Sequence, residues 1–96
     1  ACRQRRLIFS MAAVTIYSSD WCPYCMRAKA LLRKKEVMFN DIVVDGRADL
    51  RAEMASLAGS NSVPQIWING EHIGGCDDLY ALEKAGELDS LLAEQS

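Results

Sequence analysis

Two cysteines separated by two residues, in Cys22-Pro23-Tyr24-Cys25, carry the clearest chemistry in this chain. They follow the apolar run Ala13-Val14-Thr15-Ile16-Tyr17 and open a helical pattern that begins at Pro23. A strand that turns directly into a helix sets Cys22 at the helix N-terminus, where unpaired backbone N–H groups and the macrodipole favour a thiolate over a thiol. Cys25 lies one turn deeper and within reach. Pro23 suits the first helical position, because its ring fixes a helical φ and the N–H it lacks would have no partner there. The chemistry expected of such a pair is attack by the Cys22 thiolate and resolution by Cys25.

Four cysteines among 96 residues also suit a disulfide-stapled scaffold or a zinc site. The scaffold is the weaker rival, since half of the residues are hydrophobic and fall in periodic segments able to build a core. Zinc has a candidate set in Cys22, Cys25, His72 and Cys76. Structural zinc sites, however, put short-spaced pairs on knuckles and not at a strand-to-helix junction. Redox chemistry is therefore favoured, with no metal and no permanently bound cofactor. A formal charge of −2 gives no reason to expect nucleic acid or a membrane surface as partner. No apolar run approaches the roughly 20 residues of a membrane span.

The elements that must position the cysteines alternate between strand and helix. Val14 to Ser18 reads as a buried strand, and Pro23 to Glu36 as a helix with Ala28, Leu31 and Leu32 on one face. The basic run Arg33-Lys34-Lys35 complements the C-terminal dipole of that helix. Met38 to Val44 is predicted as a second strand, broken by Asp45-Gly46. Ala48 to Ala58 is predicted as a second helix with Leu50, Met54, Leu57 and Ala58 inward, stopped by Gly59. Pro64 to Ile68 reads as a third strand, and Asn69-Gly70 as a two-residue hairpin turn into Glu71-His72-Ile73. After Gly74-Gly75, Asp77 is the expected cap of a helix carrying Leu79 and Leu82, and Leu88, Leu91 and Leu92 form a short last helix. The order β-α-β-α-β-β-α-α implies an α/β domain of thioredoxin-like architecture, a four-stranded mixed sheet flanked by helices. Trp21 and Trp67 are expected as packing residues, with Trp21 able to flank a groove.

Residues 1–10 differ from the rest. They hold Arg3, Arg5 and Arg6 without an acid, and Leu7-Ile8-Phe9 is too short for a secretory core. They are read as an upstream or added, unstructured extension to a domain over 11–96, with Cys2 an adventitious thiol.

Three segments in order resemble the glutaredoxin family, and most of all its small bacterial dithiol members: Cys22-Pro23-Tyr24-Cys25, Ser62-Val63-Pro64 and Gly74-Gly75-Cys76-Asp77-Asp78. The resemblance runs from about Val14 to Leu92. It implies a glutathione-dependent thiol–disulfide oxidoreductase, with glutathione as reducing co-substrate and glutathionylated or disulfide-bonded proteins as partners, acting as a cytoplasmic monomer. It implies a cis Val63–Pro64 bond, with Val63 aligning the cysteinyl backbone of glutathione, Ser62 and Pro64 beside it, Tyr24 walling the site, and Asp77 and Asp78 holding the γ-glutamyl carboxylate and amine. Cys76 is expected to be a semi-buried structural thiol and His72 an exposed strand residue. One departure stands out, because the family usually has Lys where this chain has Ser19. Arg51 is the candidate replacement for that cation. Against the rival of a cluster-binding glutaredoxin stands Pro23, since members with Pro there mostly remain cluster-free enzymes; a thioredoxin proper usually has Gly-Pro between its cysteines.

Overall fold

The alternation of side chains along β1 (Val14–Ser18) divides the protein into two layers of packing. Val14 and Ile16 face one side of the sheet and Tyr17 the other. The computed structural model describes residues 13–93; the proposed extension and Cys2 lie outside them. β1 is central. It runs parallel to β2 (Asn40–Val43) and antiparallel to β3 (Gln65–Ile68), which pairs in turn with β4 (Glu71–Gly74), giving the order β2-β1-β3-β4.

Helices α1 (Pro23–Lys34), α3 (Cys76–Lys84) and α4 (Leu88–Ala93) supply the larger core on the Ile16 side. Ala28, Leu32, Leu79, Leu88 and Leu92 meet Ile66 and Ile68 there, each essentially sealed from solvent. Burying a Leu or Ile in this way contributes about 1.5–3 kcal/mol per side chain. On the other face, α2 (Ala48–Ala58) brings Met54 against Tyr17 and Val44. The β3–β4 turn has positive φ at both Asn69 and Gly70, as a tight hairpin requires. Among the described residues no helix is long and apolar enough to cross a membrane.

The predicted fold class and element order hold, and the differences are local. α1 stops at Lys34, not at Glu36, because Glu36 turns to φ 62° and the chain closes with Glu36 N–H on the Arg33 carbonyl and Val37 N–H on the Leu32 carbonyl. β2 starts only at Asn40, where pairing with Thr15 begins, which leaves Met38 exposed. Leu57, expected inward, is 60% exposed, because Met54 alone seals the middle of α2. Trp21 is no packing residue at 88% exposed. Trp67 does pack, edge-on to Tyr17 at 5.4 Å.

Candidate active site

The loop leaving β1 delivers Cys22 to the N-cap of α1 in an extended conformation, φ −109° and ψ 112°. Pro23 follows at the first helical position, as its ring dictates. The Cys22 carbonyl accepts the Met26 N–H at 3.2 Å, and its sulfur accepts the Cys25 N–H at 3.3 Å. A sulfur at an N-cap thus takes the place of the usual oxygen acceptor, and negative charge there gains from the helix dipole. The Cys22 thiol also reaches the Val63 carbonyl at 3.8 Å. The Val63–Pro64 bond is cis.

The two cysteines approach within 3.1 Å and are both free thiols. Their surroundings differ. Cys22 is half-buried, whereas Cys25 is wholly sealed beneath it. Burial, followed by the hydrogen bond with Cys22, pushes the Cys25 thiol up to about 12, against which the Ser19 backbone N–H and the Lys29 charge act. One accessible thiol on a helix end with one shielded partner is the arrangement that permits attack from outside and closure from inside.

A cleft of about 390 Å³ opens beside this pair. It brings together Tyr24 of α1, Ser62, Val63 and Pro64 of the segment before β3, and Asp77 and Asp78 of α3. Cys76 also lines it, buried as expected, and burial raises its thiol despite the charge of Arg27. His72 is exposed, bonds Gln65 Oε1 at 2.8 Å and lies over Trp67. Asp77 is not the helix cap. Gly75 occupies that position, and the Asp78 carboxylate reaches back to accept the Gly75 N–H at 3.0 Å. The shift by two residues leaves Asp77 exposed in the first turn. Among the described residues no three His, Cys, Asp or Glu side chains are grouped to hold a metal ion.

Arg51 does not line the cleft. Its guanidinium donates to the Asn61 carbonyl at 2.8 Å, bracing the segment that continues into Ser62, and it borders a separate depression with Asp45. Ser19, where a cation was missed, is buried and donates to Asp45 Oδ1 at 2.6 Å, while Asp20 N–H donates to the other oxygen at 2.8 Å. These bonds, with Ser19's first, hold the Asp45 carboxyl below its ordinary range. Sequence reasoning took Asp45 only as a strand breaker. It also passed over Lys29 and Asp41, although Lys29 stands four residues after Cys25.

Comparison with known proteins agrees with this geometry. The family model described as Glutaredoxin matches residues 14–73. The glutaredoxin of Pseudomonas aeruginosa is 60% identical over 83 residues, 86% of this chain and 99% of that protein. Glutaredoxin 3 of Escherichia coli is 56% identical over 82 residues, 85% of this chain and 99% of that protein. Among solved structures, a glutaredoxin from Brucella melitensis superposes with a TM-score of 0.77 at 56% identity, covering 88% of this chain and 91% of that one. A buckwheat glutaredoxin–glutathione complex superposes with a TM-score of 0.78 at 27% identity, covering 94% and 84%. With its dithiol at a helix start, its mixed sheet and these relatives, the chain belongs to the glutaredoxin family of glutathione-dependent thiol–disulfide oxidoreductases.

Proposed function

We propose that Cys22 is the nucleophile and Cys25 the resolving thiol of this oxidoreductase, and that the adjoining cleft binds glutathione. The observation that carries the reading is the position of the Cys22 sulfur, capped by the Cys25 N–H and facing the Val63 carbonyl at 3.8 Å. Glutathione is an extended peptide, and the Val63 backbone is placed to align its cysteinyl unit within reach of Cys22. The first turn of α3 offers N–H groups to the γ-glutamyl carboxylate, and the Asp77 carboxylate suits its ammonium. Tyr24, Ser62 and Pro64 complete the walls. Arg51 of α2, whose guanidinium donates to the Asn61 carbonyl beside Ser62, is the cation assigned to the glycyl carboxylate.

With a glutathionylated protein, the Cys22 thiolate attacks the glutathione sulfur. A Cys22–glutathione disulfide forms, the old disulfide breaks, and its electron pair leaves on the protein sulfur, which takes up a proton. A second glutathione thiolate then attacks the glutathione sulfur, releasing glutathione disulfide and Cys22. With a disulfide inside a protein, the mixed disulfide on Cys22 is resolved by Cys25, and glutathione reopens the Cys22–Cys25 bridge. Protein substrates of both kinds, a monomeric state and a cytoplasmic setting belong to this proposal.

The test is parallel kinetics on a glutathione mixed disulfide and on a protein disulfide, coupled to glutathione reductase. Cys22→Ser is expected to abolish both reactions, and Cys25→Ser to keep the first and lose the second. Equal losses from the two variants would overturn the assigned roles.

A further inference from the structure

Beneath the dithiol lies a buried charge that the chemistry above does not use. Lys29 follows Cys25 by four residues on α1, so their side chains share one face a turn apart. Lys29 is only 9% exposed, and lysine is almost never so buried unless paired. Its partner is Asp41 on the edge strand β2, with Nζ 2.6 Å from Oδ2. The other Asp41 oxygen accepts the hydroxyl of Ser18, itself sealed at the end of β1, at 2.5 Å. A chain of contacts therefore holds one ammonium inside the protein, next to the helical turn that bears the sealed thiol.

Cys25 has no solvent to balance a negative charge, so the balance must come from the groups facing it. The Cys22 sulfur opposes that charge, and the Ser19 backbone N–H and Lys29 favour it, with Lys29 in turn facing Asp41 and Asp45. Lys29 is the full positive charge in that set. A charge in such a low-dielectric setting acts more strongly than at the surface.

We propose that Lys29 is a positioning residue for the resolving step, its ammonium held by Asp41, which Ser18 fixes in turn, so as to stabilise the Cys25 thiolate as it forms, with Asp41 tempering that effect. The inference rests on the reading of Cys25 as the resolving thiol. In that step Cys25 gives up its proton, which ends on the departing substrate sulfur, and its thiolate attacks the Cys22 sulfur of the mixed disulfide. The Cys22–Cys25 bond forms as the bond from Cys22 to the substrate sulfur breaks. The electron pair leaves on the substrate sulfur, which is protonated, so the substrate is reduced as the enzyme dithiol is oxidised.

Two measurements on the full chain test the proposal. Cys25 is titrated in a Cys22→Ser background through the pH dependence of its alkylation, and bridge closure in the protein that keeps both Cys22 and Cys25 is followed by rapid mixing with glutathione disulfide and acid quench. Lys29→Met is expected to move the titration upward, each unit removing about tenfold of the thiolate at a given pH. Bridge closure then slows by about threefold per unit, less than tenfold because the more basic thiolate is the better nucleophile. Asp41→Asn is expected to act in the opposite direction, and Lys29→Arg to restore the wild-type titration. A merely structural pair would shift both single variants the same way, and if Lys29→Met fails to fold, the sign of Asp41→Asn decides alone. A Cys25 titration indifferent to both changes would overturn the inference. A wild-type protein that never closes the bridge would instead overturn the resolving role, and the Cys22→Ser titration would still decide for or against Lys29.

Discussion

Gly74→Ala isolates how the end of β4 serves both the fold and the cleft. Gly74 has φ +119°, a conformation that residues with a Cβ rarely adopt. An added Cβ would also collide with the Asp78 carboxylate. That carboxylate is occupied, since its Oδ2 accepts the Gly75 N–H and so caps α3 from within. The variant must therefore shift its backbone, displace Asp78, or both. Holding a non-glycine residue in a sparsely populated conformation costs about 1–3 kcal/mol, and loss of a cap costs about 0.5–2 kcal/mol. Together they come to about 1.5–5 kcal/mol, and with about 4–8 °C per kcal/mol for a domain of this size Tm should fall by at least about 6 °C. Urea unfolding gives the stability, and the KM for a glutathione mixed disulfide gives the effect on the cleft that Asp78 lines. A double-mutant cycle separates the two causes. In an Asp78→Ala background the collision is absent, so Gly74→Ala should cost less there, with a coupling of about 0.5–2 kcal/mol. A cost under about 0.5 kcal/mol for Gly74→Ala, or a full cost with no coupling and an unchanged KM, would refute the reasoning.

Three further outcomes are expected. Cys25 keeps its proton in the folded protein up to about 12, against an ordinary value of 9.0 in the unfolded chain. Above about pH 9 the unfolded state therefore binds fewer protons at this group, whose contribution to stability should fall by about 1.4 kcal/mol per pH unit; urea titrations in alkali should find a slope in the reduced protein that is smaller by that amount in Cys25→Ser, where the raised Cys76 thiol still contributes. Glu36→Gly replaces a non-glycine residue at φ 62° in the closing turn of α1 and should stabilise the protein by about 0.5–1 kcal/mol, seen as a rise of a few degrees in Tm. Arg51→Ala should raise the KM for glutathione a few-fold at low ionic strength with kcat nearly unchanged, and salt should mask the difference; a KM that does not move at low salt would remove Arg51 from the glutathione site.

The two cysteines, three residues apart in the chain, show why part of the site is legible in sequence and part is not. The environment of Cys22 is local: β1 ends, Pro23 fixes the first helical φ, and the Cys25 N–H caps the sulfur from the next turn. Each step follows from spacing and residue type, as do the alternation that sends Ile16 and Tyr17 to opposite faces and the Asn69-Gly70 turn. The helix start at Cys76 precedes the one that residue types indicate, because the cap there is a backbone conformation at Gly75 completed by a carboxylate three residues on. Ser19 reads in sequence only as the absence of a cation. Its partner, Asp45, is 26 residues away, and nothing in local spacing marks the pair. The environment of Cys25 is of this second kind. Its burial comes from packing, its Ser19 contact from the preceding loop, and its nearby cation is held by Asp41 from another strand. A motif of four residues therefore marks which sulfur stands accessible at the helix start, whereas the cation proposed to ease closure by the second sulfur depends on the pairing of β1 with β2, where Ser18 holds the Asp41 that pairs with Lys29.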